Sequence, residues 1–375
     1  MLDRHKLLSE LNTVHKDLFC SFAQDRDIAY SVWNSIKDNE TLSQKLHSKK
    51  YSLLLPEWHG ALGYSKKIDD TIEEYGILAV DGSQIYYDKH QGPECYLINV
   101  GSILVNYGCK KSSVFLLSKP SVFFLSDQNR DHGSTDFVNL QREEYELIHA
   151  WELSYQFKKE HSQKKYMAMM DGSLIFFQLE GQGQEQKEQF LQRYFSILQK
   201  FYDEQILIAG YLSFPRNKEL LNILKLGAVQ FDQVALLESD LFGQLTDMHV
   251  AQFFLKTGYR STIFRSKAPI SYLYPKILKP HFCYLNVGYE IVRLEFPAWI
   301  AQQEDLVDQI SCMAYDQAQK GRGYPVCLFE AHEQAVIKGY DRDFFYTMIR
   351  KKIEQYNATG YQRSIKSLKK LKTDI

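Results

Sequence analysis

Two copies of the tripeptide Asp-Gly-Ser constrain this chain more than any other feature. Each closes a short, β-prone apolar run without charges: GILAVDGSQIYY carries Asp81 and YMAMMDGSLIFF carries Asp171. Such runs read as buried central strands, and the ends of central strands are where α/β sheets place their chemistry. Asp-Gly between apolar runs is also the signature of a tight hairpin turn. The duplication, with a serine and a second apolar run both times, favours a site over two turns. Magnesium and manganese take hard oxygen donors, and crowded carboxylates repel one another unless a cation neutralises them. A divalent metal shared by two strand-end aspartates follows.

A third carboxylate is expected from the helix that precedes the second strand, over residues 139–160 (LQREEYELIHAWELSYQFKK and its flanks). On a helical wheel Glu152 lies with Ile148, Trp151 and Tyr155 on the apolar side, where a lone acid is costly and needs a partner. Glu146 has Arg142, Glu143, His149 and Ala150 around it and is the fallback. His332, in YPVCLFEAHEQAVIKG, reads as a residue after a buried strand at the start of a helix. It could bind metal or move protons. The HExxH zinc motif fails there because Val336 occupies the second histidine position. Tyr324 beside Pro325 could orient a phosphate or a water, and Arg216 after GYLSFP could clamp a phosphate; for both, ordinary packing or solvation is the competing explanation.

The rest of the chain reads as a mixed α/β protein. Apolar positions at helical spacing (Leu7, Leu11, Val14, Leu18, Phe22) predict an N-terminal helical region. The segments GILAV, YLINVGSILV, SSVFLL and SVFFL predict an antiparallel or mixed sheet, YLNVGYEIVRLEFPAW a strand pair, and residues 303–320 a helix. Residues 223–280 are the least legible. The expected organisation is a helical region over 1–70, a core over 71–349 and a basic segment over 350–375.

Charge supports a polyanionic partner only locally. The net charge is −1, yet residues 350–375 hold eight Lys or Arg, among them Lys366, Lys369 and Lys370, against Glu354 and Asp374. Such a segment could track phosphates, or it could simply be a solvated end. The 14% aromatic content supports stacking surfaces or an aromatic-rich core. Six scattered cysteines without a CxxC pair suggest a reduced, cytoplasmic protein lacking a disulfide framework or structural zinc. The charged N-terminus does not read as a signal peptide, and no stretch is long enough to span a membrane. Absent GxxxxGK[ST], GxGxxG and GxSxG motifs argue against P-loop ATP hydrolysis, dinucleotide binding and serine hydrolysis.

Taken in order, strand-DGS at Asp81, a helix glutamate, strand-DGSL at Asp171, GYLSFPR, NVGYEIVRLEFPAW and GYPVCLFEAHEQAVIKG resemble the NurA nuclease family over roughly residues 70–350. The resemblance implies an RNase H-like mixed sheet flanked by helices and a manganese site, with magnesium as the other candidate ion. Its ligands would be Asp81, Glu152, Asp171 and His332, with Tyr324 beside them. It also implies 5′-to-3′ degradation of DNA ends, endonuclease action on single strands, a homodimer around a DNA channel, and partnership with a HerA-type hexameric helicase. Arg216, Lys366, Lys369 and Lys370 would hold the DNA backbone. Two other readings remain: a non-cutting nucleic-acid scaffold for a motor, and a metal phosphohydrolase of small phosphate esters.

Overall fold

The computed structural model describes residues 2–14, 17–68, 72, 74–88, 94–108, 112–125, 134–160, 165–181, 183–232, 235 and 241–356, with the backbone alone for 17–22. Lys366, Lys369 and Lys370 lie outside the described residues. The helices are α1 (Arg4–Asn12), α2 (Asp17–Ile36), α3 (Leu42–His47), α4 (Thr135–Glu160), α5 (Gln184–Asp203), α6 (Glu219–Ala228), α7 (Asp247–Ala251), α8 (Ala298–Ala301), α9 (Glu304–Lys320), α10 (Val326–Ala335) and α11 (Gly339–Gln355). The strands are β1 (Glu57–Trp58), β2 (Ser65–Lys67), β3 (Tyr75–Ile85), β4 (Cys95–Tyr107), β5 (Ser113–Phe124), β6 (Tyr166–Asp171), β7 (Leu207–Leu212), β8 (Tyr259–Ser261), β9 (Phe264–Arg265), β10 (Pro280–Asn286) and β11 (Ile291–Pro297). The N-terminal helices and the mixed sheet core flanked by helices match the sequence expectation.

Two compact units are each discontinuous in sequence. The first comprises Met1–Asp70, Leu174–Glu180 and Tyr211–Tyr315. Its strands pair antiparallel in the order β1-β9-β10-β11, with β8 joining β10 to β2. The predicted strand pair is the β10–β11 hairpin. Helices α2, α6 and α7 supply much of the apolar core, with Trp33 stacked on Phe254 at 4.7 Å between ring centroids. Against that apolar background one charged group stands out. Arg293 on β11 is fully buried, pairs through Nε with Glu295 at 2.7 Å and through Nη1 with Glu219, and lies 3.5 Å over the Phe282 ring.

The second unit comprises Thr71–Ser173, Gly181–Gly210 and Asp316–Ile375. Its strand order is β5-β4-β3-β6-β7, with β3, β4 and β5 an antiparallel meander and β6 parallel to β3. The parallel step demands a crossover, and α4 provides it. This is the RNase H-like arrangement. Ile77, Leu78, Ala79 and Val80 on β3 are at most 1% exposed; full burial of an Ile or Leu contributes roughly 1.5–3 kcal/mol each. Even and odd positions of β3 serve different helices, as strand alternation requires. A Cβ at Gly76 would meet Phe157 of α4, whereas Ser83 Oγ donates to the Ala335 carbonyl at the end of α10.

Two local readings change. Asp81 does not end its strand, because β3 continues through Gly82 and Ser83 to Ile85 and pairs throughout with β4. The sequence Val-Cys-Leu-Phe before His332 is the first turn of a helix rather than a strand. Pro325 fixes its start, and Cys327, Leu328, Ala331 and Ala335 repeat at helical spacing on the buried side.

Candidate metal centre

The last register pair between β3 and β6 is Val80 with Met170. The next residues are Asp81 and Asp171, so two aspartates leave adjacent parallel strands at the same level, and adjacent strands lie about 4.8 Å apart. β6 ends there while β3 runs on. Asp81 is an odd position and faces α10, where its Oδ2 lies 2.7 Å from His332 Nδ1; its Oδ1 accepts the Gly82 N–H at 2.8 Å. With its proton on Nδ1, the imidazole donates to Asp81 and leaves Nε2 outward on a side chain that is 57% exposed.

The approach of α10 depends on the residue opposite Asp81. Gly101 of β4 is its register partner, and a Cβ there would run into the backbone of Ala331, Gln334 and Ala335. Only glycine lets that helix lie close enough to present His332 to Asp81. Asp171 is held differently. Its Oδ2 accepts the Tyr324 hydroxyl proton at 2.8 Å. Although the Asp171 side chain reaches solvent, the protein packed around it raises its carboxyl above the ordinary value and the neighbouring Asp81 charge adds to this; Tyr324, His332 and Arg142 act in the opposite direction.

The helix carboxylate beside the aspartates is Glu146, the fallback, rather than Glu152. Glu146 is 8% exposed. Burial above all, with the charges of Asp81, Glu143 and Asp171 added and that of Arg142 opposing, pushes its carboxyl up to about 8. Gly82 makes the room, since a Cβ there would collide with Glu146 Oε1 and the Arg142 side chain. Arg142 donates from Nη1 to the Gly82 carbonyl at 3.0 Å, with Nε 3.6 Å from Glu146 Oε1. Oε1 is buried and has no hydrogen-bond partner among the described residues.

Glu152 points away into solvent, 55% exposed, 3.3 Å from His149 Nδ1 and 3.9 Å from Lys119 Nζ. Aromatic residues draw the apolar side of a helical wheel toward Glu152. Trp151 packs on Phe201 of α5 and stacks with Tyr155, which marks a helix–helix contact. The stripe of α4 carrying Glu146, Leu147, Ala150, Ser154 and Phe157 is the buried one. The i,i+4 spacing of Arg142 and Glu146 is the sequence signal for this pair. Arg216 is exposed in the loop after β7, in the first unit.

No three His, Cys, Asp or Glu side chains among the described residues are drawn together tightly enough to form a ready-made metal cluster. The donor chemistry nevertheless suits a hard divalent cation. The donors are carboxylate oxygens close enough that the Asp81 charge raises the proton affinity of both Asp171 and Glu146, and one buried oxygen has no hydrogen-bond partner among the described residues.

A model of the NurA domain matches residues 75–337. A crystal structure of NurA aligns with 90% of this chain and 98% of its own, at 12% identity and a TM-score of 0.43. A crystal structure of NurA bound to dAMP and manganese aligns over 90% and 94%, at 14% identity and 0.35. A third, of NurA with manganese, aligns over 88% and 97%, at 14% identity and 0.37. No curated protein sequence matches the chain significantly.

Proposed function

Because this chain belongs to the NurA family, we propose that it is a metal-dependent nuclease that hydrolyses phosphodiester bonds in DNA, with manganese as its working ion. The observation that carries this reading is the parallel register that sets Asp81 and Asp171 side by side, with Glu146 coupled to both and His332 on Asp81. Asp81, Asp171 and Glu146 would hold the cation. When bound, such a cation neutralises charge at the phosphate and acidifies a water.

The protein's own groups supply the rest. Tyr324 fixes the orientation of Asp171 through its hydroxyl. Arg142 balances part of the local negative charge and ties α4 to the Gly82 carbonyl. His332, oriented through Nδ1, presents Nε2 either as a further ligand or as the group that carries a proton to the leaving oxygen. Arg216 and the lysines at 366, 369 and 370 would hold the DNA backbone without reading its sequence.

The finer parts of the proposal rest on family membership. They are 5′-to-3′ digestion of ends, endonuclease action on single strands, a role in double-strand break repair in the cytoplasm, a homodimer, and a HerA-type hexameric ATPase as partner. A P-loop motif is absent from the sequence, which agrees with a motor supplied by another protein. Among the described residues no helix is long and apolar enough to cross a membrane.

The test is incubation of the purified protein with 5′- and 3′-labelled DNA across Mn2+, Mg2+ and EDTA. The expected result is shortening that requires Mn2+ or Mg2+ and stops with EDTA, with the 5′ label released first. DNA binding without cleavage under every metal would point to a scaffold. Turnover of a small phosphoester without DNA cleavage would point to a phosphohydrolase.

A further inference from the structure

Where β3 ends, the chain lines a groove with a volume of about 670 Å3, formed by Gln84, Tyr86, Tyr87 and Asp88 together with Lys338 and Arg342. We propose that this groove binds the nucleotides of a single DNA strand next to the scissile phosphate. The proposal deepens the nuclease reading and rests on it for the position of that phosphate.

Continuity with the reaction centre is the first argument. Both walls are direct extensions of segments that carry it: β3 after Asp81, and the chain that follows α10 after His332. Gln84 is three residues beyond Asp81, or about 10 Å along a strand. That is a step of one or two nucleotides. Pairing to β6 stops at Val80, so past that point β6 does not cover β3.

The lining chemistry is the second argument. Lys338 and Arg342 provide two cations against the single acid Asp88. Lys338 is exposed. Arg342 is 54% exposed and its Nη2 stays 3.8 Å from Asp88, a loose pair that a phosphate can displace. Planar donors of this kind suit phosphate oxygens. Tyr86 and Tyr87 add phenol rings, and rings beside a cationic track are how proteins hold single strands without sequence preference. The Tyr86 hydroxyl donates to Asn139 Oδ1 at 2.6 Å and accepts from Gln84 Nε2 at 2.7 Å, which fixes that ring on the α4 side. The mixture of rings and cations suits a single strand, whose bases are free to stack.

The test compares wild-type full-length protein with the double variants Lys338→Ala/Arg342→Ala and Lys338→Gln/Arg342→Gln. Fluorescence anisotropy with a labelled oligo-dT in Ca2+, over a series of salt concentrations, reads binding. Steady-state cleavage of the same oligonucleotide in Mn2+ reads KM and kcat separately. The expected result is binding weakened about tenfold or more, a salt slope smaller by about one to two phosphate contacts, and a rise in KM that exceeds any fall in kcat. Unchanged affinity and slope in both variants overturn the groove, and so does a wild-type protein that fails to bind single strands. Hydrolysis of bis-p-nitrophenyl phosphate by the wild type in Mn2+ tests the reaction centre separately. Its absence counts against the nuclease reading, while the anisotropy series still decides the groove.

Discussion

Asp81→Asn is expected to lower Mn2+-dependent DNA cleavage by about a thousand-fold or more while leaving the melting temperature unchanged or slightly raised. The reasoning starts from the strand. Asp81 sits inside β3, paired across to Gly101, so the backbone is fixed by neighbours on both sides of the position. Asn keeps the shape and can still accept the Gly82 N–H through its oxygen. What disappears is one negative charge and the acceptor at Oδ2 that orients His332. Removing that charge also relieves Asp171 and Glu146, whose proton affinities it raises, so folding should not suffer. The same substitution at Asp171 is expected to have a similar effect on rate, because it removes the other strand-borne donor and the acceptor for Tyr324. A kinetic assay beside a thermal melt checks both. Near-wild-type cleavage by either variant would place the chemistry elsewhere.

Arg293→Ala is expected to destabilise the first unit by about 3–5 kcal/mol, the cost of leaving buried charges without their partner. Burial by itself would lower the proton affinity of Arg293, but Glu219, Glu295 and Tyr284 overcome this and hold it well above the ordinary value. Glu295 in turn accepts the Leu174 N–H at 2.9 Å, and Glu219 begins α6. Without the guanidinium, two fully buried carboxylates face each other across an empty space. The neighbouring Asp247 shows the penalty already present. Burial and the Glu219 charge push its carboxyl up to about 6, although it accepts the Leu221 and Glu219 N–H groups and the Tyr284 hydroxyl proton. Urea unfolding should show a lower midpoint. Arg293→Ala together with Glu219→Gln should recover part of the loss, because the double change leaves one buried charge fewer. A midpoint within about 0.5 kcal/mol of wild type for Arg293→Ala would show that the network is not what holds this core.

Much of this molecule could be read from its residues. The Asp-Gly-Ser repeats identified β3 and β6 and the two aspartates, because a nearly uncharged β-prone run has few other uses. The hairpin in YLNVGYEIVRLEFPAW followed from two apolar runs around a Gly-containing turn. The helix carboxylate did not follow, for a physical reason. α4 touches protein on two sides, so its apolar residues do not form one stripe: Trp151 meets α5, while Leu147 and Ala150 sit on the other buried face. A wheel drawn on side-chain polarity then assigns Glu146 to water. Its burial depends on Gly82 and Arg142, and contacts between distant segments leave no trace in local periodicity. His332 lies against Asp81, but the helix that carries it is hard to read because Val-Cys-Leu-Phe has strand-like composition at helical spacing. The groove at the end of β3 is invisible for a similar reason, since residues far apart in sequence, Gln84 to Asp88 and Lys338 with Arg342, line it together.

The central claim is that a divalent cation is held by oxygens from Asp81, Asp171 and Glu146. Mn2+ binding by isothermal titration calorimetry tests it most directly, on the wild type, Glu146→Gln and Glu152→Gln. Saturable binding is expected, weakened about tenfold or more by Glu146→Gln and left within about twofold by Glu152→Gln, whose side chain lies with His149 and Lys119. Wild-type affinity in Glu146→Gln, or loss of binding in Glu152→Gln, would contradict the account.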